Sequence, residues 1–340
     1  MNTTQIGVDL AKSVFEVAVS QQPGRVQERH RLTRAQFPRF FADRPAAHVL
    51  LEACGSAHHW GRTLQALGHR VSLLHPGDVA RYRDGNKTDR ADAKALLEAA
   101  RNADIDPVPV KSIDQQAIAA LHRLRQGYLR TRTARINSVR GLLREFGVIL
   151  PLGAKRVVGL AREAIEQDEL PRHLRAALLD VLAEIQTLEA RAQGIHDELE
   201  GLARHMPDAR ALLSVPGVGI LTATALVAFV GDIRRFRSGR EFAAYLGLTP
   251  REHSTGSHRR LGRITKRGNR YLRMMLIHGA RSALRAGTVS DAPDDLRVWA
   301  LRIQQRRTHN VAAVALANKL ARVCWRVWIE QRPFQRREAA

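Results

Sequence analysis

Four carboxylates and one serine are the residues whose types and spacing could do chemistry in this chain. Asp9 follows Ile6-Gly-Val inside an apolar run, where an uncompensated charge is costly. Glu52 closes a second apolar run, His48-Val-Leu-Leu-Glu52. Asp89 and Asp92 stand three apart at the start of an Ala- and Leu-rich stretch, which puts them on one helix face. If the two runs are neighbouring strands and the helix packs across their ends, the four acids converge, and divalent cations relieve their repulsion. An all-oxygen set suits Mg2+ or Mn2+. Two such ions about 3.5–4 Å apart stabilise both the attacking and the leaving oxygen of a phosphodiester displacement. A structural role stays open beside this: Asp89 and Asp92 as acids complementing a helix dipole, with Lys12, Lys87 and Lys94 as ion-pair partners.

The serine is Ser254, in His253-Ser254-Thr255-Gly256-Ser257, followed by Arg259, Arg260, Arg263, Lys266, Arg267, Arg270 and Arg273. Guanidinium groups at this density can grip a phosphate and stabilise charge developing on it. A serine held among them could attack a phosphodiester and become covalently linked to the strand. The alternative is a basic loop in which Ser254 only hydrogen-bonds backbone or DNA. His253 reads either as a general base or as a solvated histidine. A third feature, Val215-Pro-Gly217-Val-Gly219, is a turn between helices. It could aim backbone N–H groups at a DNA phosphate, as in helix-hairpin-helix modules, or be a plain tight turn.

The elements that must position these residues divide the chain in three. Residues 1–110 read as α/β. Ile6–Leu10 and Val14–Val19 form a hairpin of β-rich runs, 48–53 and 70–74 are further strands, 56–67 a helix, and Thr88–Arg101 a strongly predicted helix. Residues 111–205 read as a helical spacer or assembly region. It holds a long basic helix over 114–146, a break at Pro151 and Gly153, and a second helix from Pro171 to Arg204. In that second helix Leu174, Leu178, Val181, Ile185, Leu188, Ala192, Ile195, Leu199 and Leu202 alternate by four and three, a coiled-coil seam. Residues 206–340 read as mainly helical, with turn-rich segments at 214–219, 247–257 and 286–294 and a final helix near 295–330.

Charge separates these regions. Of the 340 residues, 55 are Lys or Arg and 33 Asp or Glu, a formal charge of +22. Residues 1–110 carry 15 basic and 12 acidic side chains, whereas residues 251–340 carry 20 and 6. A field of that sign attracts nucleic acid whatever its sequence. Two cysteines, Cys54 and Cys324, exclude a disulfide scaffold and a multi-cysteine zinc site. No apolar run has the length of a membrane span, and the N-terminus lacks the pattern of a secretory signal. The expectation is a cytoplasmic protein, prokaryotic and nucleoid-associated when bound to DNA, with no membrane partner.

Together these motifs resemble the insertion-sequence transposases with an N-terminal RuvC-like DEDD domain and a C-terminal serine domain, a group that includes the Piv-type invertases and the bridge-RNA-guided recombinases. The resemblance rests on Gly7-Val-Asp9-Leu-Ala-Lys12, Leu51-Glu52-Ala, Lys87-Thr-Asp89-Arg-Ala-Asp92, Val215-Pro-Gly-Val-Gly219, and His253-Ser254-Thr-Gly256 through Gly268-Asn-Arg-Tyr-Leu-Arg273. It implies an RNase H-like (RuvC-like) α/β domain with Mg2+ on Asp9, Glu52, Asp89 and Asp92, and Ser254 as nucleophile. It also implies a homo-oligomer (dimer or tetramer) acting on element ends and target DNA, and a noncoding guide RNA. The resulting expectation is a DNA recombinase that cuts and rejoins strands through a phosphoseryl intermediate. Its rivals are a metal-dependent junction-resolving nuclease without a covalent intermediate and a non-catalytic nucleic-acid-binding scaffold.

Overall fold

A computed structural model describes residues 4–22, 24–86, 88–154, 156–167, 170–289 and 294–335. The chain divides into two compact units, residues 1–114 and 115–340.

The first unit is built on a five-stranded mixed sheet. Its elements are β1 (Gln5–Leu10), β2 (Val14–Ser20), β3 (Glu28–Thr33), α1 (Gln36–Ala42), β4 (His48–Glu52), α2 (Ala57–Ala66), β5 (Arg70–Leu74), α3 (Pro76–Val79) and α4 (Asp89–Ala99). The strand order is β3-β2-β1-β4-β5, antiparallel through β1 and parallel from β1 to β5. Alternation explains the two faces. Ile6, Val8, Val49 and Leu51 meet Phe15, Phe37, Phe41 and Trp60 on one side, while Leu50, Ala18 and Leu74 meet Ala93, Leu96 and Leu97 of α4 on the other. The β1–β2 hairpin and the runs at 48–53 and 70–74 form as the sequence predicts. The strand β3 and the helix α1 do not stand out in the sequence. Glu-Arg-His-Arg-Leu-Thr has no apolar alternation, because β3 is an edge strand with every second side chain exposed.

The second unit is mostly helical. Helix α5 (Ile113–Glu145), whose first residues precede the unit boundary, α6 (Val157–Gln167) and α7 (Arg172–Arg204) share a core of Ile136, Val139, Leu143, Val157, Ile165, Leu178, Leu182 and Ile185. Helices α5 and α7 run antiparallel, with Arg132 3.2 Å from Glu189 and Arg135 2.7 Å from Glu184. The heptad seam of α7 is thus covered within one chain, and the repeat by itself requires no second copy. Further on lie α8 (Pro207–Leu213), α9 (Ile220–Val230), α10 (Gly239–Tyr245), β6 (Pro250–Glu252), β7 (Leu261–Ile264), α11 (Arg270–Val289), α12 (Asp295–Arg306) and α13 (His309–Glu330). Helix α9 is apolar nearly all round and correspondingly buried, and α13 sinks Ala312, Leu316, Leu320 and Cys324 completely. Two details differ from the sequence expectation. The final helix is two, because Arg307 and Thr308 take extended conformations between them. The turn-rich stretch 247–257 contributes a strand to a two-stranded antiparallel hairpin.

Candidate functional site

In the first unit, strand register does the positioning. β1 and β4 are parallel neighbours with Val8 opposite Leu51, so Asp9 and Glu52 are the next residues on adjacent strands. Alternation puts both on the α4 side, the side of Gly7 and Leu50. Helix α4 packs so closely there that a Cβ on Gly7 would overlap the carbonyl oxygen of Ala93. Thr88 caps α4, its hydroxyl accepting from the Ala91 N–H at 3.2 Å, and Asp89 and Asp92 occupy the first turn. Asp89 is exposed, Asp9 and Glu52 are half-buried, and Asp92 is buried, its carboxylate taken by the guanidinium of Arg83.

The structure therefore brings Asp9 and Glu52 to neighbouring strand ends but does not assemble the four acids. Among the described residues no group of three or more His, Cys, Asp or Glu side chains is close enough to hold a metal ion. All four donors are hard oxygens of the kind Mg2+ takes, yet the arrangement as folded is no cation cage, because the positive charge on Asp92 comes from Arg83. Lys87, weighed above as a partner for these acids, lies outside the described residues.

In the second unit the serine sits on the hairpin of β6 and β7. Glu252 pairs with Leu261, the His253 N–H donates to the Arg260 carbonyl at 2.9 Å, and Thr255 bridges His258 around Gly256, which has φ +54°. Ser254 lies on this arm and Ser257 in the terminal turn. Residues 251–263 are all exposed. The Ser254 hydroxyl donates to Glu252 Oε1 at 2.7 Å and accepts from the Arg260 N–H at 3.1 Å.

The base of the hairpin is rigidly clamped. Gly247 and Gly268 have φ +69° and +80°, and a Cβ on either would collide with backbone of the other strand of the clamp, at Arg267 or Tyr245. Asn269 caps α11, its Oδ1 accepting from the Tyr271 N–H at 2.9 Å and the Leu272 N–H at 3.2 Å. Arg273 corrects the sequence expectation of a DNA contact. It is buried, and its guanidinium donates at 3.0 Å to the carbonyls of Leu246 and Arg267, where it ties the clamp together. Arg259, Arg260, Arg263, Lys266, Arg267 and Arg270 remain exposed.

Beneath α11 lies a buried polar chain that the sequence did not signal. The Thr224 hydroxyl donates to the Ile220 carbonyl at 2.7 Å, so it accepts from His122 Nε2–H at 3.0 Å, and His122 Nδ1 accepts from the Tyr271 hydroxyl at 3.0 Å. Burial, with help from the charge of Arg125, pushes the His122 pKa down to about 4. The Val215–Gly219 turn joins α8 to α9. Gly217 is left-handed, and a Cβ there would overlap the Gly279 carbonyl of α11, so its glycine answers a helix contact. Gly219 is exposed with open space around its Cα.

Residues 6–148 match a DEDD transposase model of the IS110 type, and residues 209–293 match the model described as Transposase IS116/IS110/IS902 family. A probable family 20 transposase of Pseudomonas aeruginosa is 45% identical over 96% of this chain and 96% of its own length. The transposase for insertion sequence element IS1111A of Coxiella burnetii is 38% identical over 97% and 91%. The transposase for insertion sequence element IS1328 of Yersinia enterocolitica is 35% identical over 98% and 99%. The chain belongs to the IS110/IS116 transposase family.

As an insertion-sequence transposase of this family it acts on DNA. The DEDD match spans all four carboxylates and the second match spans the Gly217 turn and the Ser254 hairpin. No helix among the described residues is long and apolar enough to cross a membrane. Two residues bearing on these sites escaped the sequence reading. Arg83 is six residues before Asp89 in a polar loop, with no periodicity to connect it to Asp92. Glu252 was detectable in principle, since residues two apart on a strand share a face with each other.

Proposed function

We propose that this transposase cuts and rejoins DNA through covalent attack by Ser254, with a divalent cation, Mg2+ or Mn2+, held by Asp9, Glu52, Asp89 and Asp92. The observation that carries this reading is the Ser254 hydroxyl, fixed by two hydrogen bonds on an exposed hairpin lined by Arg259, Arg260 and Arg263. A guanidinium-lined surface offers an arriving phosphodiester charge-assisted hydrogen bonds. The nucleophile needs its rotamer fixed beforehand, since geometry at the reacting atom accounts for much of an enzyme's advantage.

For the carboxylates, the sheet order β3-β2-β1-β4-β5 and the neighbouring ends of β1 and β4 support an RNase H-like reading of the first unit. Cation binding to the full set requires Arg83 to release Asp92. When bound, the cation would supply charge stabilisation at a phosphodiester oxygen. A homo-oligomer and a noncoding guide RNA belong to the same proposal. The net charge of +22 suits a polyphosphate partner of either kind.

The test is recovery of covalent protein–DNA adducts from cells that carry the reading frame within its native flanking DNA. Adducts are expected from the wild type and none from Ser254→Ala; undiminished adducts in Ser254→Ala remove the serine from the role. The DEDD match fits a junction-resolving nuclease only loosely; for that reading broken ends appear without any adduct in the wild type.

A further inference from the structure

The environment of Ser254 contains a second reactive group. Glu252 ends β6, the His253–Arg260 hydrogen bond extends the ladder beyond it, and Ser254 therefore returns to the face that Glu252 occupies. The Ser254 hydroxyl donates to Glu252 Oε1 at 2.7 Å, and Arg259 Nε donates to the same oxygen at 3.3 Å. Nucleophile, acceptor and a third group orienting the acceptor are the arrangement by which a weak oxygen nucleophile is activated. With its O–H donated to Glu252 and one lone pair accepting from the Arg260 N–H, Ser254 Oγ keeps one lone pair for a phosphorus atom.

We propose that Glu252 is a further catalytic residue, the general base that takes the Ser254 proton as Oγ attacks, and that Arg259 is the positioning residue holding its carboxylate. The inference rests on Ser254 being the nucleophile. In the forward step the Oγ–P bond forms and the P–O3′ bond breaks. The electron pair of the broken bond stays on O3′, which leaves as a 3′-hydroxyl after taking a proton from water. The Ser254 proton moves to Glu252; in resealing, a 3′-hydroxyl gives up its proton to water as its oxygen attacks the phosphoserine, the P–Oγ bond breaks, and Glu252 returns its proton to Oγ. Ser254's hydrogen bond, followed by the charge of Arg259, holds the Glu252 carboxyl below the ordinary range, so it stands ionised and ready to accept. A carboxylate is a weak base towards an alcohol, and the transfer is therefore concerted with Oγ–P bond formation, which makes the proton acidic. His253, the base considered from the sequence, is one residue out of phase along the arm.

The experiment uses the full chain in cells, with the reading frame in its native flanking DNA and adduct yield as readout. Glu252→Gln keeps an acceptor oxygen for the Ser254 hydroxyl but not the basicity. Adduct formation is expected to fall roughly 10²–10⁴-fold, the usual contribution of general base catalysis, with DNA retention by the protein unchanged. In a Ser254→Cys background the thiol, with a pKa of about 8.5, needs little help, and adding Glu252→Gln costs less than about tenfold. A purely structural Glu252 costs the same in both backgrounds, and that result overturns the proposal. So does a Glu252→Gln yield within about twofold of wild type. If the thiol protein forms no adduct at all, the single variant decides: adduct lost with DNA retention kept supports the base, and both lost together overturns it. Adducts that persist in Ser254→Ala overturn the nucleophile itself, whereas their loss there with full yield in Glu252→Gln overturns only the base.

Discussion

The carboxylate face of the first unit and the serine hairpin of the second solve opposite problems. Asp9, Glu52 and Asp92 are held by a sheet and a helix that pack over most of their area, so their positions follow from register and their charges must be met within the fold. The hairpin packs on little. Its residues 251–263 are all exposed, and its base is anchored by the Gly247–Gly268 clamp and the Arg273 guanidinium. A buried anion demands a resident cation and Arg83 answers that demand, while an exposed cluster of cations can take its counterion from outside the fold, which in the proposed function is the DNA. Each region is thus incomplete in the sense its burial allows.

The largest effect expected from this contrast is at Asp9. Asp9→Asn removes charge at a register-fixed position and should lower DNA cleavage in cells on the order of 10³-fold, the scale for losing stabilisation at a reacting oxygen. Cleavage at the wild-type level in that variant would mean the carboxylate face is only structural.

Next in size is the scaffold under the hairpin. His122 has its pKa lowered to about 4 from an ordinary 6.5, so the unfolded chain binds the proton first as pH falls. Its contribution is complete above about pH 6.5 and is lost progressively down to about pH 4, amounting to about 3 kcal/mol. Urea unfolding of the wild type at pH 7 and pH 4 should show that loss, and His122→Gln should flatten it. An equal acid slope in both proteins would assign the sensitivity elsewhere.

Arg83→Gln sharpens the other half. With Asp92 relieved of its guanidinium, Mn2+ binding measured by electron paramagnetic resonance is expected to tighten about tenfold, or 1.4 kcal/mol. Unchanged or weaker binding would show that Arg83 does not compete for the site. The smallest effect belongs to one exposed cation. Arg263→Ala should weaken DNA binding only a few-fold and reduce the slope of log affinity against log salt by about one. A slope identical to wild type would take Arg263 off the phosphate-facing surface.

What could be read in advance follows burial and periodicity. The strands carrying Asp9 and Glu52 and the helix carrying Asp89 and Asp92 announce themselves because a buried strand or helix repeats its apolar residues at a fixed interval. The edge strand β3 and the β6–β7 hairpin do not, since neither buries an alternating face. Arg273 shows the limit from the other side: within a run of seven cations nothing local distinguishes the one that turns inward onto carbonyls.

Composition, motif order and spacing thus determined, without coordinates, a basic nucleic-acid-acting chain with a nearly charge-balanced, carboxylate-bearing α/β region ahead of a serine-bearing basic one. Tertiary structure alone decided that Arg83 neutralises Asp92, that the α7 seam is closed by helices of the same chain, and that the Ser254 hydroxyl donates to Glu252. The reason is physical. Periodicity and composition are sums over neighbours in sequence, whereas a hydrogen bond or ion pair depends on the direction and reach of one side chain, set only once the backbone around it has folded.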